Sequence, residues 1–454
     1  LFVHCLNFKG DLLMVSFKRV VATIAASALV AGSLAACSSA EDGPSVYFLN
    51  FKPEQDAIYQ KIAAAYTEET GVPVKVVTAA SGTYEQTLKA EVGKRNQPTL
   101  FQVNGIVGLK KWSKFTADLT DATFTKELND SIDPLTGDDG KIRAVPFAVE
   151  GYGILYNEEI FDKYCAMEGA KVSSPEEIKD FATLKKVSED MQANKKELGI
   201  DGAFASTSLA SGEAWRWQTH LANIPIHYEL QDLGADDSDN LQFTYNKEYK
   251  NLFDLYLNNS TVEKTLAPSK SVSDSMAEFA QGKAAMVQNG NWAWGQISEV
   301  SGNVIKEDKL KFLPMYTGMP EDSKQGLAVG TENYLAVNQK ASEEDQKATI
   351  DFVNWLYTTD KGKEYVVNEL GFIAPFKTFS KDDIPDDPLA KQIADAMDNP
   401  DLESVPWDFQ TFPSQQFKND FGQDLAQYAS GKTGWDEVVR NFVDNWAAEK
   451  AALK

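Results

Sequence analysis

Residues 46–77 read VYFLNFKPEQDAIYQKIAAAYTEETGVPVKVV, and the order of elements in that stretch decides the fold. Val46-Tyr47-Phe48-Leu49 is a short apolar run of strand type. Pro53 to Thr70 then carries Ile58, Ile62, Ala65 and Tyr66 at helical spacing, and Gly71 stands where a left-handed C-cap is wanted. Val74-Lys75-Val76-Val77 is a second strand, Tyr84 to Lys94 a second helix, and Thr99 to Val103 a third strand. Strands alternating with helices imply βαβ units and a parallel sheet. Ligands of such sheets sit beyond the carboxyl ends of the strands. Those ends are Asn50-Phe51-Lys52, Thr78-Ala79-Ala80-Ser81-Gly82 and Asn104-Gly105, so Lys52, Glu54, Ser81 and Tyr84 are candidate binding residues.

Working outward, 454 residues imply two or three domains, and 43% hydrophobic residues are enough to bury real cores. The 44 Lys and Arg stand against 67 Asp and Glu, a net charge of −23. That surface repels polyphosphate and anionic lipid, which argues against nucleic acid as a partner. At the N-terminus Lys18-Arg19 precedes an apolar stretch, Val20 to Ala31, too short to span a bilayer. It ends in Leu34-Ala35-Ala36-Cys37, which resembles the lipobox of bacterial lipoproteins. Residues 1–36 are therefore read as an upstream extension, with Met14 as the start, followed by a signal peptide. Cys37 is the lipidation site, and 37–45 a tether at the outer face of the cytoplasmic membrane. Cys165 is then the sole cysteine of the body, and an internal disulfide is excluded.

Farther along, Ser174-Pro175-Glu176-Glu177 has the form of a capping box opening a helix toward Met191, and Ser342-Glu343-Glu344-Asp345 resembles another start. Val438, Phe442 and Trp446 give 435–452 one apolar face. AQYASGKT at 426–433 imitates a phosphate loop but lies between helices, where a strand must precede it. No G-x-S-x-G, S-x-x-K or H-E-x-x-H motif is present, and His220 and His227 read as structural or surface imidazoles. The run Asp236 to Asn240 reads as a solvated turn, not a calcium loop. Glu150 and Glu332, in polar turns, are the carboxylate pair that a glycosidase reading would use. Trp292 in NGNWAW (289–294) and Trp215, beside Arg216, suit a different task. Flat rings stack on the apolar faces of sugars, while neighbouring Asn and Glu take the hydroxyls.

Several segments together resemble the extracellular solute-binding proteins of carbohydrate ABC importers, the family that includes maltodextrin-binding lipoproteins. They are VPFAVEGYGILYN (145–157), FAQGKAAM (279–286) with Gly290 and Trp292, GTENYLAVN (330–338), the helix at 348–356, and GFIAP (371–375). The resemblance implies an α/β, two-lobed, periplasmic-binding-protein-like fold of type II with a ligand cleft between hinged lobes. Residues 46–147 and 311–357 would form lobe 1, and 148–310 and 358–454 lobe 2. It implies Trp292 as a stacking platform, with Glu150, Tyr152, Asn104, Glu332, Asn333 and Trp407 lining the cleft. Trp215 and Asn291 join them from the aromatic and turn arguments above. No catalytic residue, metal or cofactor is implied. The partners would be an oligosaccharide, two permease subunits with a cytoplasmic ATPase, and the membrane through lipid, for a monomeric receptor. The charged Lys52-Pro53-Glu54 turn departs from that pattern and leaves a charged ligand open, so a polyamine or other cationic solute is one alternative; a surface glycoside hydrolase using Glu150 and Glu332 is another. An adhesin or scaffold is a third.

Overall fold

Val46–Asn50, strand β1, is buried at every position, as a parallel strand covered on both faces must be. The computed structural model describes residues 43–454 apart from 81, 82, 131, 332, 381 and 454; the segment read above as a signal and lipidation site lies outside the described residues. Helix α1, Asp56–Thr70, follows a single 3-10 turn at Pro53–Gln55 and sets Tyr59, Ile62 and Tyr66 against the sheet. It ends at Gly71, whose φ of 76° closes the helix with an N–H bond to the Thr67 carbonyl. Strand β2 is Val74–Thr78, α2 Tyr84–Glu91, β3 Leu100–Asn104 and α3 Gly105–Trp112. The opening βαβαβ order is the one expected, and β1 pairs in parallel with both β2 and β3.

The later strands are β4 Leu135–Thr136, β5 Ile142–Pro146, β6 Glu150–Asn157, β7 Gly202–Phe204 and β8 Ala284–Gly290. They are followed by β9 Leu310–Leu313, β10 Gln325–Gly330, β11 Asn333–Val337 and β12 Glu403–Val405. One sheet runs β2-β1-β3-β11-β5-β4; the other runs β12-β10-β6-β8-β7, with β9 also on β6. This is a two-lobed α/β fold in which each sheet has its own core. The chain passes from one sheet to the other between β5 and β6, between β10 and β11, and after Phe379. Strand pairing shifts the expected crossings at 311 and 358. β9 and β10 belong to the second sheet, while Val366, Leu370, Phe372 and Phe376 pack in the first core.

Local capping signals succeeded once and failed once. Ser342 caps the helix Glu343–Thr358 by accepting from Asp345 N at 3.1 Å. Ser174-Pro175 opens only a 3-10 turn, because Ile178 is drawn into the core in extended conformation; the helix starts at Phe181, capped by Asp180. The helix Trp435–Ala452 buries Val438, Phe442 and Trp446, and Phe442 stacks on Phe243 with centroids 4.3 Å apart. The acidic turn before it is anchored to this helix, since Asp237 receives the buried Lys450 ammonium at 2.6 and 2.8 Å. Among the described residues no helix is long and apolar enough to cross a membrane.

Candidate functional site

A cavity of about 210 Å³, partly open to solvent, lies where the carboxyl ends of β1, β2 and β3 face the second sheet. Phe51, Lys52, Glu54, Tyr84, Glu85 and Asn104 line it from the first lobe. Glu150 lines it from the start of β6, and Trp215, Arg216, His220, Trp292, Gln296 and Gln415 from the second lobe. The first wall is thus polar and charged, the second rich in rings.

Lys52 is placed by the strand end itself. The buried Asn50 accepts from Lys52 N at 3.0 Å and donates to Lys52 O at 2.7 Å, so its amide closes the turn that carries the lysine. The ammonium donates to Glu150 Oε1 at 2.7 Å and stands 3.8 Å from Glu54; the Lys52 and Glu150 side chains are each 8% exposed. It also lies 5.9 Å from the centre of the Trp292 ring and 6.0 Å from that of Phe372. Glu85 is likewise engaged, taking the Trp112 indole N–H at 3.2 Å and the Lys111 ammonium. The charged wall is therefore largely compensated within the protein.

The aromatic wall is built on an unusual helical turn. Residues Arg216–Leu221 wind as π-helix and run into a helix interrupted by Pro225, which has no N–H to give to the preceding turn. Other groups serve the loosened carbonyls: Tyr152 OH donates to His220 O at 3.2 Å, Tyr249 OH to Trp217 O at 3.0 Å, and Thr219 Oγ1 to Trp215 O. His220 lies flat on Tyr152, centroids 4.2 Å and planes 17° apart. Burial, reinforced by the Arg216 charge, holds this imidazole well below its usual 6.5, so it is neutral at physiological pH. Burial also draws the Arg216 guanidinium down to about 10, leaving it charged.

An acid sensitivity follows. The unfolded chain takes up a proton at His220 below about pH 6.5 and the folded chain does not, so the folded state binds fewer protons and loses stability as pH falls. The expected slope is about 1.4 kcal/mol per pH unit below 6.5. Urea midpoints of the chain and of His220→Gln, compared between pH 7 and 5, should converge as the wild type weakens.

Trp292 follows Gly290 at the end of β8, and its ring folds back over that glycine. A Cβ at position 290 would lie 2.3 Å from the indole, so only glycine admits this rotamer. The ring is half-buried, tilted against His220 at 5.6 Å and edge-on to Trp407 at 6.4 Å and 86°.

Of the candidates from the sequence, Lys52, Glu54, Tyr84, Asn104, Glu150, Trp215 and Trp292 converge on the cavity. Tyr84 is a partial case, since its hydroxyl is spent on the main chain of Gln102 and only the ring borders the space. Four others stand behind the wall, not on it. Tyr152 is fully buried beneath His220, and Trp407 backs Trp292. Asn291 ties β8 to β6 by accepting from Gly151 N at 2.9 Å, and Asn333 sits inside β11 opposite Asn104. Ser81, Glu332 and Cys37 lie outside the described residues. Sequence reasoning missed Phe51, Glu85, Arg216, His220, Gln296 and Gln415. Phe51 and Arg216 sat beside chosen residues, His220 was set aside as structural, and the two glutamines carried no signal.

Residues 61–392 match the family described as bacterial extracellular solute-binding protein. Over 311 residues the chain is 24% identical to the melibiose/raffinose/stachyose-binding protein MelE of Bacillus subtilis (strain 168), spanning 67% of this chain and 68% of that protein. A chitin oligosaccharide binding protein shares the fold at a TM-score of 0.70 and 18% identity, over 90% of this chain and 100% of that one. RafE, a solute-binding protein solved in complex with raffinose, shares it at 0.67 and 16%, over 89% and 99%.

Proposed function

The chain belongs to the family of bacterial extracellular solute-binding proteins, and on that footing we propose that it captures an oligosaccharide in the cavity between its lobes and delivers it, unaltered, to an ABC importer. The observation that carries the reading is the pairing of two cavity-lining tryptophans, Trp215 and Trp292, with a charged wall neutralised from within. Stacking needs the rings, and with Glu150 and Glu85 held by lysines the first-lobe wall offers polar groups to a neutral polyol, while Arg216 on the second can donate N–H to its oxygens. The names of the relatives, which bind raffinose, stachyose and chitin oligosaccharides, support the same class.

The cationic alternative would need carboxylates free to meet ammonium groups, and here Glu150 is held by Lys52 and Glu85 by Lys111. Engagement with Lys52 equally takes Glu150 away from the proton transfer that a glycosidase would ask of it. Capture would proceed by closure of the lobes on the sugar, and the closed form would dock on two permease subunits served by a cytoplasmic ATPase. The lipobox at Cys37 supports a receptor tethered by lipid to the outer face of the membrane; we take it to act as a monomer, and neither metal nor cofactor enters this reading.

A thermal-shift panel of the chain from Ser38 onward, with mono- and oligosaccharides, spermidine and amino acids, tests the ligand class. A hundredfold excess over Kd adds about 2.7 kcal/mol of apparent stability, a readable shift. A shift with oligosaccharide is expected; a shift with spermidine alone would transfer the reading to cation uptake. Labelled palmitate should enter the full chain in a bacterial host and fail to enter Cys37→Ala.

A further inference from the structure

Asn289, one residue before the end of β8, is fully buried and lines no part of the cavity, yet two cavity side chains end on it. Its Oδ1 accepts from Arg216 Nη2 at 3.0 Å and from Gly290 N at 3.0 Å. Its Nδ2 donates to Gln296 Oε1 at 3.4 Å and to Met276 Sδ at 3.1 Å. Two donors at one end and two acceptors at the other leave a single sense for the amide.

That sense dictates what the cavity sees. Gln296 spends its oxygen inward, so the group it can offer a ligand is its NH₂. Arg216 has no acceptor atom, forms no ion pair among the described residues, and commits Nη2 alone to Asn289. Glu54 and Glu85, across the cavity, can only accept when ionised. Arg216 and Gln296 thus present N–H donors together from the second lobe, facing the carboxylates of Glu54 and Glu85 across the cavity.

We infer that Asn289 is a positioning residue that fixes Arg216 and Gln296 as a pair of N–H donors on the second-lobe wall, to which the ligand presents acceptor oxygens: ring, glycosidic or hydroxyl lone pairs. The inference rests on the oligosaccharide reading and adds the orientation of the sugar and the residue that enforces it.

Asn289→Asp tests it at constant shape. The carboxylate still accepts from Arg216 and Gly290, but it confronts Gln296 Oε1 with an oxygen. The Gln296 amide then turns its NH₂ inward and its oxygen to the cavity. Calorimetry with raffinose should show affinity lowered at least about tenfold, with the ligand-free Tm close to that of the wild type. In a Gln296→Ala background the same change should cost about twofold or less, because no amide remains to turn. Gln296→Glu, which places an acceptor-only group at the same position, should reproduce the tenfold loss and serves if Asn289→Asp does not fold. An unchanged Kd in Asn289→Asp, or an undiminished loss in the Gln296→Ala background, would overturn the assignment while leaving the receptor standing. Wild-type chain that binds neither raffinose nor chitin oligosaccharides would overturn both.

Discussion

Lys52→Met is expected to destabilise the folded chain by about 3–5 kcal/mol, and combining it with Glu150→Gln is expected to restore most of the loss. The single change leaves a carboxylate, 8% exposed, without the ammonium 2.7 Å away, and an uncompensated buried charge costs more than the pair contributes. Glu54, at 3.8 Å from that ammonium, would add its own negative charge to the unbalanced site. Removing both charges leaves a polar but neutral contact between the end of β1 and the start of β6. Urea denaturation at pH 7 measures the difference. Equal stability of the single and double variants would show that the pair is not buried as described.

Trp292→Ala should weaken oligosaccharide binding by about 30- to 100-fold, the range of a ring anchoring a desolvated contact. Its effect on stability should be smaller, because the ring is half-buried. Trp407→Ala should show the opposite balance. That ring is 4% exposed and packs on Tyr152, Phe409 and Trp292, so its removal opens a cavity worth about 3–5 kcal/mol. Trp292→Phe should keep much of the affinity. Calorimetric titrations paired with thermal melts separate the platform from its support.

The contrast between these two tryptophans shows what was legible in the chain and what was not. The first strand could be read because a strand covered on both faces runs apolar, and the helix after it because it ends on a glycine; both are local facts. Trp292 could be read for a similar reason, since its ring and Gly290 are two residues apart and form one unit. Trp407 carried the same chemistry in sequence, and only its packing shows it to be a support. Lys52 raised the prospect of a charged ligand because its counter-ion, Glu150, is distant in the chain and no local pattern announces it. The aromatic wall depends on long-range satisfaction too. Its π-turn persists because Tyr152 and Tyr249, from other elements, serve carbonyls that the helix itself leaves open. Gln296 and Gln415 were invisible for a plainer reason: an amide gains a role only from where the fold sets it.

The most direct test of the account is a calorimetric titration of the chain from Ser38 onward with raffinose and with chitin oligosaccharides, followed by chromatography of the recovered sugar. Saturation at one site per chain is expected, by an oligosaccharide that is recovered intact. Absence of binding by either class, or recovery of shortened sugar, would contradict it.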